Sequence, residues 1–261
     1  MFPFKALIFD VDGTLADTER DGHRVAFNSA FADAGLAWDW TVDLYGQLLA
    51  VTGGKERIRY FIERWDPAFA RSNDLDGFVA ALHRSKTEHY VSLLRGGGIP
   101  LRQGVLRLLR EARARGLRLA IATTTTPENV TYLLQNSGEP GLVDWFEVIA
   151  AGDVVPNKKP APDIFQLALN ELALAPADCI AFEDSENGVR SALGAGLGAL
   201  VVTENDYTKG QDFTGAALVV DHLGDPGRRT QVHQGVITEI QQVDLESLRR
   251  LHQFVYGGQR R

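Results

Sequence analysis

The sequence predicts an α/β protein, a doubly wound, Rossmann-like parallel sheet with an inserted four-helix cap. Three observations predict it. First, six short apolar runs recur along the chain: Ala6–Phe9, Leu119–Ala122, Val148–Ala150, Ile180–Phe182, Leu200–Val202 and Leu218–Val220. Each has the length of a strand buried on both faces. Second, helical periodicity lies between most of them. Val105, Leu106, Leu108, Leu109 and Ala112 keep one apolar face and Gly116 supplies a stop, and Ile164, Phe165, Ala168, Leu169 and Leu172 repeat the pattern. Alternating strands and helices imply a parallel sheet with right-handed crossovers. Third, residues 17–95 contain no convincing strand. Ile58, Phe61, Ile62 and Trp65 fall at helical spacing, as do Val79, Leu82 and Tyr90, and a Gly-rich joint, Gly96-Gly97-Gly98-Ile99-Pro100, closes the segment. The expected organisation is a core of residues 1–16 and 96–261, interrupted by a helical cap of residues 17–95 that acts as a lid. Residues 226–261 form a C-terminal extension of the core with no assigned role, ending in a helix around Leu245–Val255.

Composition narrows the function classes. Of 261 residues, 44% are hydrophobic and 23% charged, the balance of an ordinary globular protein. The net charge of −7 argues against nonspecific nucleic-acid binding, which needs a basic face. No apolar run is long enough to cross a membrane, and the start Met1-Phe2-Pro3-Phe4-Lys5 shows no secretory pattern. The single cysteine, Cys179, sits in an apolar run and can form neither an internal disulfide nor a cysteine-based zinc site. A monomer in the cytoplasm is expected, or in the plastid stroma if the host is photosynthetic and a transit peptide has been removed.

The chemistry is carried by polar residues at strand ends, where open parallel sheets bind ligands. Phe9-Asp10-Val11-Asp12-Gly13-Thr14 directly follows the first strand. Two carboxylates two residues apart can divide a phosphoryl transfer. Asp10 attacks phosphorus as nucleophile, and Asp12 protonates the leaving alcohol and later takes a proton from water. Gly13 allows the sharp turn. Carboxylates facing a phosphate dianion require a cation, and magnesium suits oxygen ligands. Asp10 and Asp12 are two expected ligands. The third is Asp184 of Phe182-Glu183-Asp184-Ser185, with Glu183 orienting a metal-bound water. Positive charge on the transferring oxygens comes from Lys159, next to Pro160, with Lys158 as the alternative. Thr123, with Thr124 beside it, supplies hydroxyl donors at the second strand's end, unless the threonine run is only a helix-capping turn. Gly194-Ala195-Gly196-Leu197-Gly198 follows a helix and precedes a strand, the reverse of a dinucleotide fingerprint. Gly53-Gly54-Lys55-Glu56 lacks the Ser/Thr of a P-loop.

With Asp10-Val11-Asp12-Gly13-Thr14, Thr123, Lys159-Pro160 and Glu183-Asp184 in this order, the sequence resembles the haloacid dehalogenase-like hydrolase superfamily over nearly the whole chain to about residue 225. The helical insertion after the first motif looks like that family's four-helix cap. Lys159-Pro160-Ala161-Pro162-Asp163-Ile164-Phe165 and Glu183-Asp184-Ser185 resemble its β-phosphoglucomutase-like branch. Thr52-Gly53-Gly54-Lys55-Glu56-Arg57, Ala122-Thr123-Thr124-Thr125 and Ala150-Ala151-Gly152-Asp153 resemble the CbbY type within that branch. The resemblance implies a magnesium-dependent phosphatase for a small-molecule sugar phosphate or bisphosphate, xylulose-1,5-bisphosphate above all. It implies substrate binding by the cap residues Glu19, His23, Gly53, Gly54, Lys55 and Arg57. Lys55 and Arg57 suit a second, non-reacting phosphate and Glu19 and His23 suit sugar hydroxyls, an ordinary charged helix surface being the alternative. The Glu19–His23 stretch is one residue longer than that type's pattern, and the tail after Asp225 is extended.

Two rival functions share these motifs. A sugar phosphomutase uses the same aspartyl-phosphate and returns the phosphoryl group to another hydroxyl. A binding or sensing protein on a retired enzyme scaffold would bind sugar phosphates without turnover.

Overall fold

Each apolar run is a strand, and most strands reach a residue or more beyond the run. They are β1 (Ala6–Phe9), β2 (Arg118–Thr123), β3 (Phe146–Ala151), β4 (Cys179–Glu183), β5 (Leu200–Thr203) and β6 (Leu218–Val220). The added residues matter, because Thr123 and Glu183 are the last residues of β2 and β4. The strands run parallel in the order β3-β2-β1-β4-β5-β6, so the order reverses at β1, with Ile8 paired to Ala120 on one side and Ala181 on the other. A seventh strand, β7 (Val232–Gly235), pairs antiparallel with β6 at the sheet's edge. The sequence reading gave no strand there. Val-His-Gln-Gly has neither an apolar run nor alternation, because an edge strand is half exposed.

The computed structural model describes residues 2–51, 53–72 and 74–257, without the side chains of residues 70–72; Thr52 of the cap segment lies outside the described residues. The chain separates into two compact units, Met1–Asp17 with Pro100–Arg261, and Thr18–Ile99.

The second unit is all helical. It starts with one π-helical turn, Thr18–His23, which runs into α1 (Arg24–Asp33). A π-turn takes one more residue than an α-helical turn and so accommodates a stretch one residue longer. Then come α2 (Val42–Leu48), α3 (Gly54–Trp65), α4 (Pro67–Ser72) and α5 (Leu75–Arg95). Thr41 caps α2 by accepting from the Leu44 amide at 3.2 Å, and Asp74 caps α5. The core is aromatic. The Trp40 ring lies 4.6 Å from Phe27 and 4.9 Å from Phe31, centroid to centroid, and Asn28 fixes the Trp40 backbone through both its amide atoms.

The first unit sets helices on both sheet faces. They are α6 (Val105–Ala114), α7 (Pro127–Gln135), α8 (Asp163–Leu172), α9 (Glu186–Gly194) and α10 (Leu245–Tyr256). Ala6 and Ile8 enter one buried cluster with Ile164 and Phe165 of α8 and Val189 and Ala192 of α9. Leu7 and Phe9 alternate to the other side, and α6 packs on β2 and α10 on α6. Cys179, first residue of β4, is buried in this core, and burial pushes its thiol up to about 12. No helix among the described residues is long and apolar enough to cross a membrane.

Candidate active site

The reversal of strand order at β1 opens a crevice at the carboxyl ends of β1 and β4. A cavity of about 330 Å³ there is lined by Asp10, Asp12, Thr124, Lys158, Lys159, Glu183, Asp184, Ser185 and Asn187. A larger open cleft of about 640 Å³ lies among residues 225–250; it is lined by no lysine, and its carboxylates, Asp225, Glu239, Asp244 and Glu246, form no metal-spaced group among the described residues.

Each wall has a local cause. After β1 the chain turns tightly: the Val11 carbonyl accepts from the amides of Thr14, Leu15 and Ala16, and Gly13 sits at φ +80°. A side chain at Gly13 would also strike Asp184, since a Cβ there would stand 2.0 Å from its Oδ2. The first motif and the end of β4 therefore touch through a residue that has no side chain. After β4, Ser185 caps α9 by accepting from the Gly188 amide at 3.2 Å.

The Lys159 ammonium binds the two halves. Its Nζ donates to Asp10 Oδ1 at 2.5 Å and to Glu183 Oε1 at 2.5 Å, and it lies 5.0 Å from the Phe165 ring centroid. Burial works against the ammonium, but Asp10 and Glu183 more than offset it and raise Lys159 above its usual range. Lys158, the alternative, is exposed and pairs with Asp153 at 2.6 Å. Oxygens of Asp10, Glu183 and Asp184 lie within 4.8 Å of one another. Burial first, then Glu183 and Asp10, pushes Asp184 well above the usual carboxylate range, while the Asn205 amide and the Arg102 charge pull the other way. Burial likewise raises Glu183. Three buried carboxylates against one lysine form an all-oxygen donor set with surplus negative charge, and this suits a hard divalent cation. Thr124 lines the cavity; Thr123 is buried beneath it, its hydroxyl oxygen accepting from the Thr125 amide at 3.3 Å.

The helical unit holds its own polar cluster. Tyr45 donates to Glu19 Oε2 at 2.6 Å, Arg57 Nη1 donates to the Tyr45 hydroxyl oxygen at 2.8 Å, and Lys86 Nζ lies 2.7 Å from His23 Nδ1. The His23 ring stacks on Tyr90 with centroids 3.8 Å apart. Burial holds His23 down to about 4 despite the upward pull of Glu19, so the neutral ring accepts from the Lys86 ammonium. Burial also lowers Lys86, to about 8. Burial pushes the Glu19 carboxyl up, but His23, Tyr45, Arg57 and Lys86 together bring it below its usual range. Arg57 is buried, and its remaining donors reach the Leu48 and Val51 carbonyls at 3.2 and 3.4 Å. Lys55 is exposed on α3. Gly53 precedes α3 as its N-cap residue at φ +95°, and a Cβ on Gly54 would lie 2.6 Å from His83 Nε2.

The sequence reading missed Tyr45, Lys86, Asn187, Asn205 and Arg102. Asn187 was findable, four residues after Glu183 in the first turn of α9. Nothing local marks the others, because their partners are distant in sequence.

The comparisons agree with this architecture. The family model for haloacid dehalogenase-like hydrolase matches residues 4–196. The CbbY protein of Cupriavidus necator is 47% identical over 232 residues, which cover 88% of this chain and 89% of that one. A crystal structure of mutant CbbY from Rhodobacter sphaeroides in complex with xylulose-(1,5)bisphosphate is 45% identical with a TM-score of 0.67, covering 85% of this chain and 95% of that one. A putative β-phosphoglucomutase from Thermotoga maritima is 27% identical, also at TM-score 0.67, covering 83% and 94%. On this match of sequence, fold and strand-end carboxylates, the chain belongs to the haloacid dehalogenase-like hydrolase family, as a phosphatase of its CbbY-type branch.

Proposed function

We propose that the protein is a magnesium-dependent sugar-bisphosphate phosphatase that works through an aspartyl-phosphate on Asp10, with xylulose-1,5-bisphosphate as its substrate. The observation that carries this reading is the Asp10–Lys159–Glu183 arrangement beside Asp184 at the reversal of strand order. Asp10 forms a P–O bond in line as the bond from phosphorus to the sugar oxygen breaks. Asp12 gives its proton to that leaving oxygen, then takes a proton from water. The water oxygen bonds to phosphorus, the Asp10–phosphorus bond breaks, and phosphate leaves. Lys159 neutralises charge on the phosphoryl oxygens, and the hydroxyls of Thr123 and Thr124 donate hydrogen bonds to them. Asp10 and Asp184 would hold a magnesium ion, with Asp12 at the wall of the same cavity as the third expected ligand and Glu183, whose oxygen lies within 4.8 Å of theirs, orienting its water; the ion would supply charge neutralisation for the phosphoryl group.

The substrate is supported by the CbbY relative solved with xylulose-(1,5)bisphosphate. In the helical unit, exposed Lys55 beside Gly53 and Gly54 suits the second phosphate, and Glu19 and His23 suit sugar hydroxyls. Arg57, tied to Tyr45 and two carbonyls, contributes by fixing Tyr45 and so Glu19.

The likeness to a putative β-phosphoglucomutase favours one second reading, a sugar phosphomutase. Phosphate release with magnesium from a panel of sugar mono- and bisphosphates, with Asp10→Asn as control, separates the two. Preferred release from xylulose-1,5-bisphosphate, lost in Asp10→Asn, is the expected result. Fast release from other sugars discards the substrate and keeps the chemistry, while isomeric sugar phosphates without free phosphate point to the mutase.

A further inference from the structure

We propose that Arg102 is a positioning residue for the phosphoryl-transfer site: its guanidinium locks the Gly13 turn to residues 203 and 204, so that the next residue, Asn205, presents its side-chain amide to Asp184. The inference rests on the reading of Asp184 as a metal-holding carboxylate.

The Arg102 side chain is only 7% exposed and all three of its nitrogens are engaged. Nη1 donates to the Gly13 carbonyl, and to the Thr203 carbonyl and hydroxyl oxygens at 2.9 and 3.0 Å. Nη2 donates to the carbonyls of Glu204 at 2.7 Å and Asp221 at 2.8 Å. Nε stands 3.2 Å from Asp17 Oδ1. One planar group thus gathers the backbone at the carboxyl ends of three strands: the turn after β1, the end of β5 and the residue after β6. A lysine, with its donors at a single point, cannot span these acceptors.

Two of the acceptors bear on Asp184. Gly13 lies against it, as the 2.0 Å approach of a hypothetical Cβ to Oδ2 shows. Glu204 precedes Asn205, whose Nδ2 donates to the same Oδ2 at 2.8 Å. Asn205 is itself held from both sides: its Oδ1 accepts from the Tyr207 backbone amide at 2.9 Å, and its own backbone N–H donates to the Thr208 hydroxyl oxygen at 3.0 Å. The amide therefore has one aim, and Arg102 fixes where it starts. With one Oδ2 lone pair committed to Asn205, rotation of the carboxylate is restrained. A residue that orients a metal-holding carboxylate in this way commonly changes metal affinity or activity about 10- to 100-fold when it is lost.

The test uses the full chain with Mn²⁺ as probe. Arg102→Lys, Arg102→Ala, Asn205→Ala and Arg107→Ala are compared by thermal melting, by Mn²⁺ binding followed in the spin resonance of the free ion, and by p-nitrophenyl phosphate hydrolysis. Arg107 is the control, a half-buried arginine that holds the carbonyls of Leu223, Gly224 and Val243 away from the site. Arg102→Lys should melt cooperatively yet raise the Mn²⁺ dissociation constant about 10-fold or more, and lower kcat similarly with KM little changed. Added guanidinium should restore part of both losses in Arg102→Ala. Arg107→Ala should lose melting temperature but keep Mn²⁺ affinity. Folded Arg102 variants with wild-type Mn²⁺ affinity and kcat, or losses that only match those of Arg107→Ala, overturn the proposal. If the Arg102 variants do not fold, Asn205→Ala decides, since unchanged Mn²⁺ affinity there also overturns it. Should Asp184→Asn bind Mn²⁺ like the wild type, the metal reading itself falls and the inference with it.

Discussion

A Cβ on Gly188 would stand 1.9 Å from Glu183 Oε2, so the first turn of α9 and the carboxylate that ends β4 occupy one space. Glu183 is fully buried and shares Lys159 with Asp10. Gly188→Ala must therefore move Glu183. The expected result is a stability loss of about 1–3 kcal/mol and a fall in kcat of about 10-fold or more. Chemical denaturation and phosphate release check the two together.

Lys159→Met removes the one ammonium among Asp10, Glu183 and Asp184. Removing one partner of a buried ionic group costs about 3–5 kcal/mol, because the remaining charge is left uncompensated. The kcat should fall about 10²- to 10³-fold, the usual loss for one stabilising donor. Magnesium should raise the melting temperature of this variant by more than it raises the wild type's, since the carboxylates then lack their own cation. An equal shift in both proteins would argue against the cluster as the ion's site.

His23 makes the helical unit sensitive to acid. Its imidazole titrates near 6.5 in the unfolded chain and is held to about 4 in the folded one, by burial first. Between these values the unfolded state binds a proton that the folded state refuses, so stability is present above 6.5 and is lost as pH falls toward 4. The gap of about 2.5 pH units corresponds to about 3 kcal/mol. Glu19, lowered in the fold, adds to the loss in the same direction. Denaturation midpoints followed by tryptophan fluorescence from pH 7.5 to 4 should carry this slope as the difference between the wild type and His23→Phe, because the raised Glu183 and Asp184 of the sheet unit act in the opposite sense over the same range in both proteins.

Arg107 ties both the chain just before the C-terminal extension and the extension itself, at Val243, to α6. Its Nη2 donates to Leu223 and Val243 at 2.9 Å each, and its Nε to Gly224 at 3.0 Å. Arg107→Met leaves three carbonyls without this donor, and at about 1 kcal/mol each the loss is about 3 kcal/mol. Limited proteolysis should then cut sooner beyond residue 223, with kcat unchanged in the protein still intact.

What the sequence disclosed follows the range of the interactions. Asp10, Thr123 and Glu183 were legible because each ends or directly follows an apolar strand, a signal contained in six residues. Lys159 was legible from its proline-rich loop, and the choice between it and Lys158 rests on which side chain turns inward. Arg102 was not legible: its acceptors are backbone carbonyls 89 to 119 residues away, which leave no trace in residue type. Asn205 escaped for the same reason, since its contact with Asp184 is made only when β4 and β5 are side by side; Gly188 lies only five residues from Glu183, but their approach depends on how α9 leaves β4. The cations of the cap segment were visible as charges, but the burial of Arg57 against Tyr45 depends on how α2 and α3 pack. The edge strand β7 stayed hidden because its residues are polar on both faces.

The chain leaves the sheet unit at Asp17 and returns at Pro100, and on the sheet side these ends are already joined. Ala16 and Leu101 form an antiparallel bridge, and the Arg102 amide donates to the Leu15 carbonyl at 2.8 Å. Because the ends are pinned together, a longer or shorter insert changes the closure entropy only slowly with length. The register of β1 against β2 and β4 does not have to be relearned. Helices can thus be grafted, lengthened or exchanged between these two points, and a lineage can change which sugar it accepts while inheriting its phosphoryl chemistry intact.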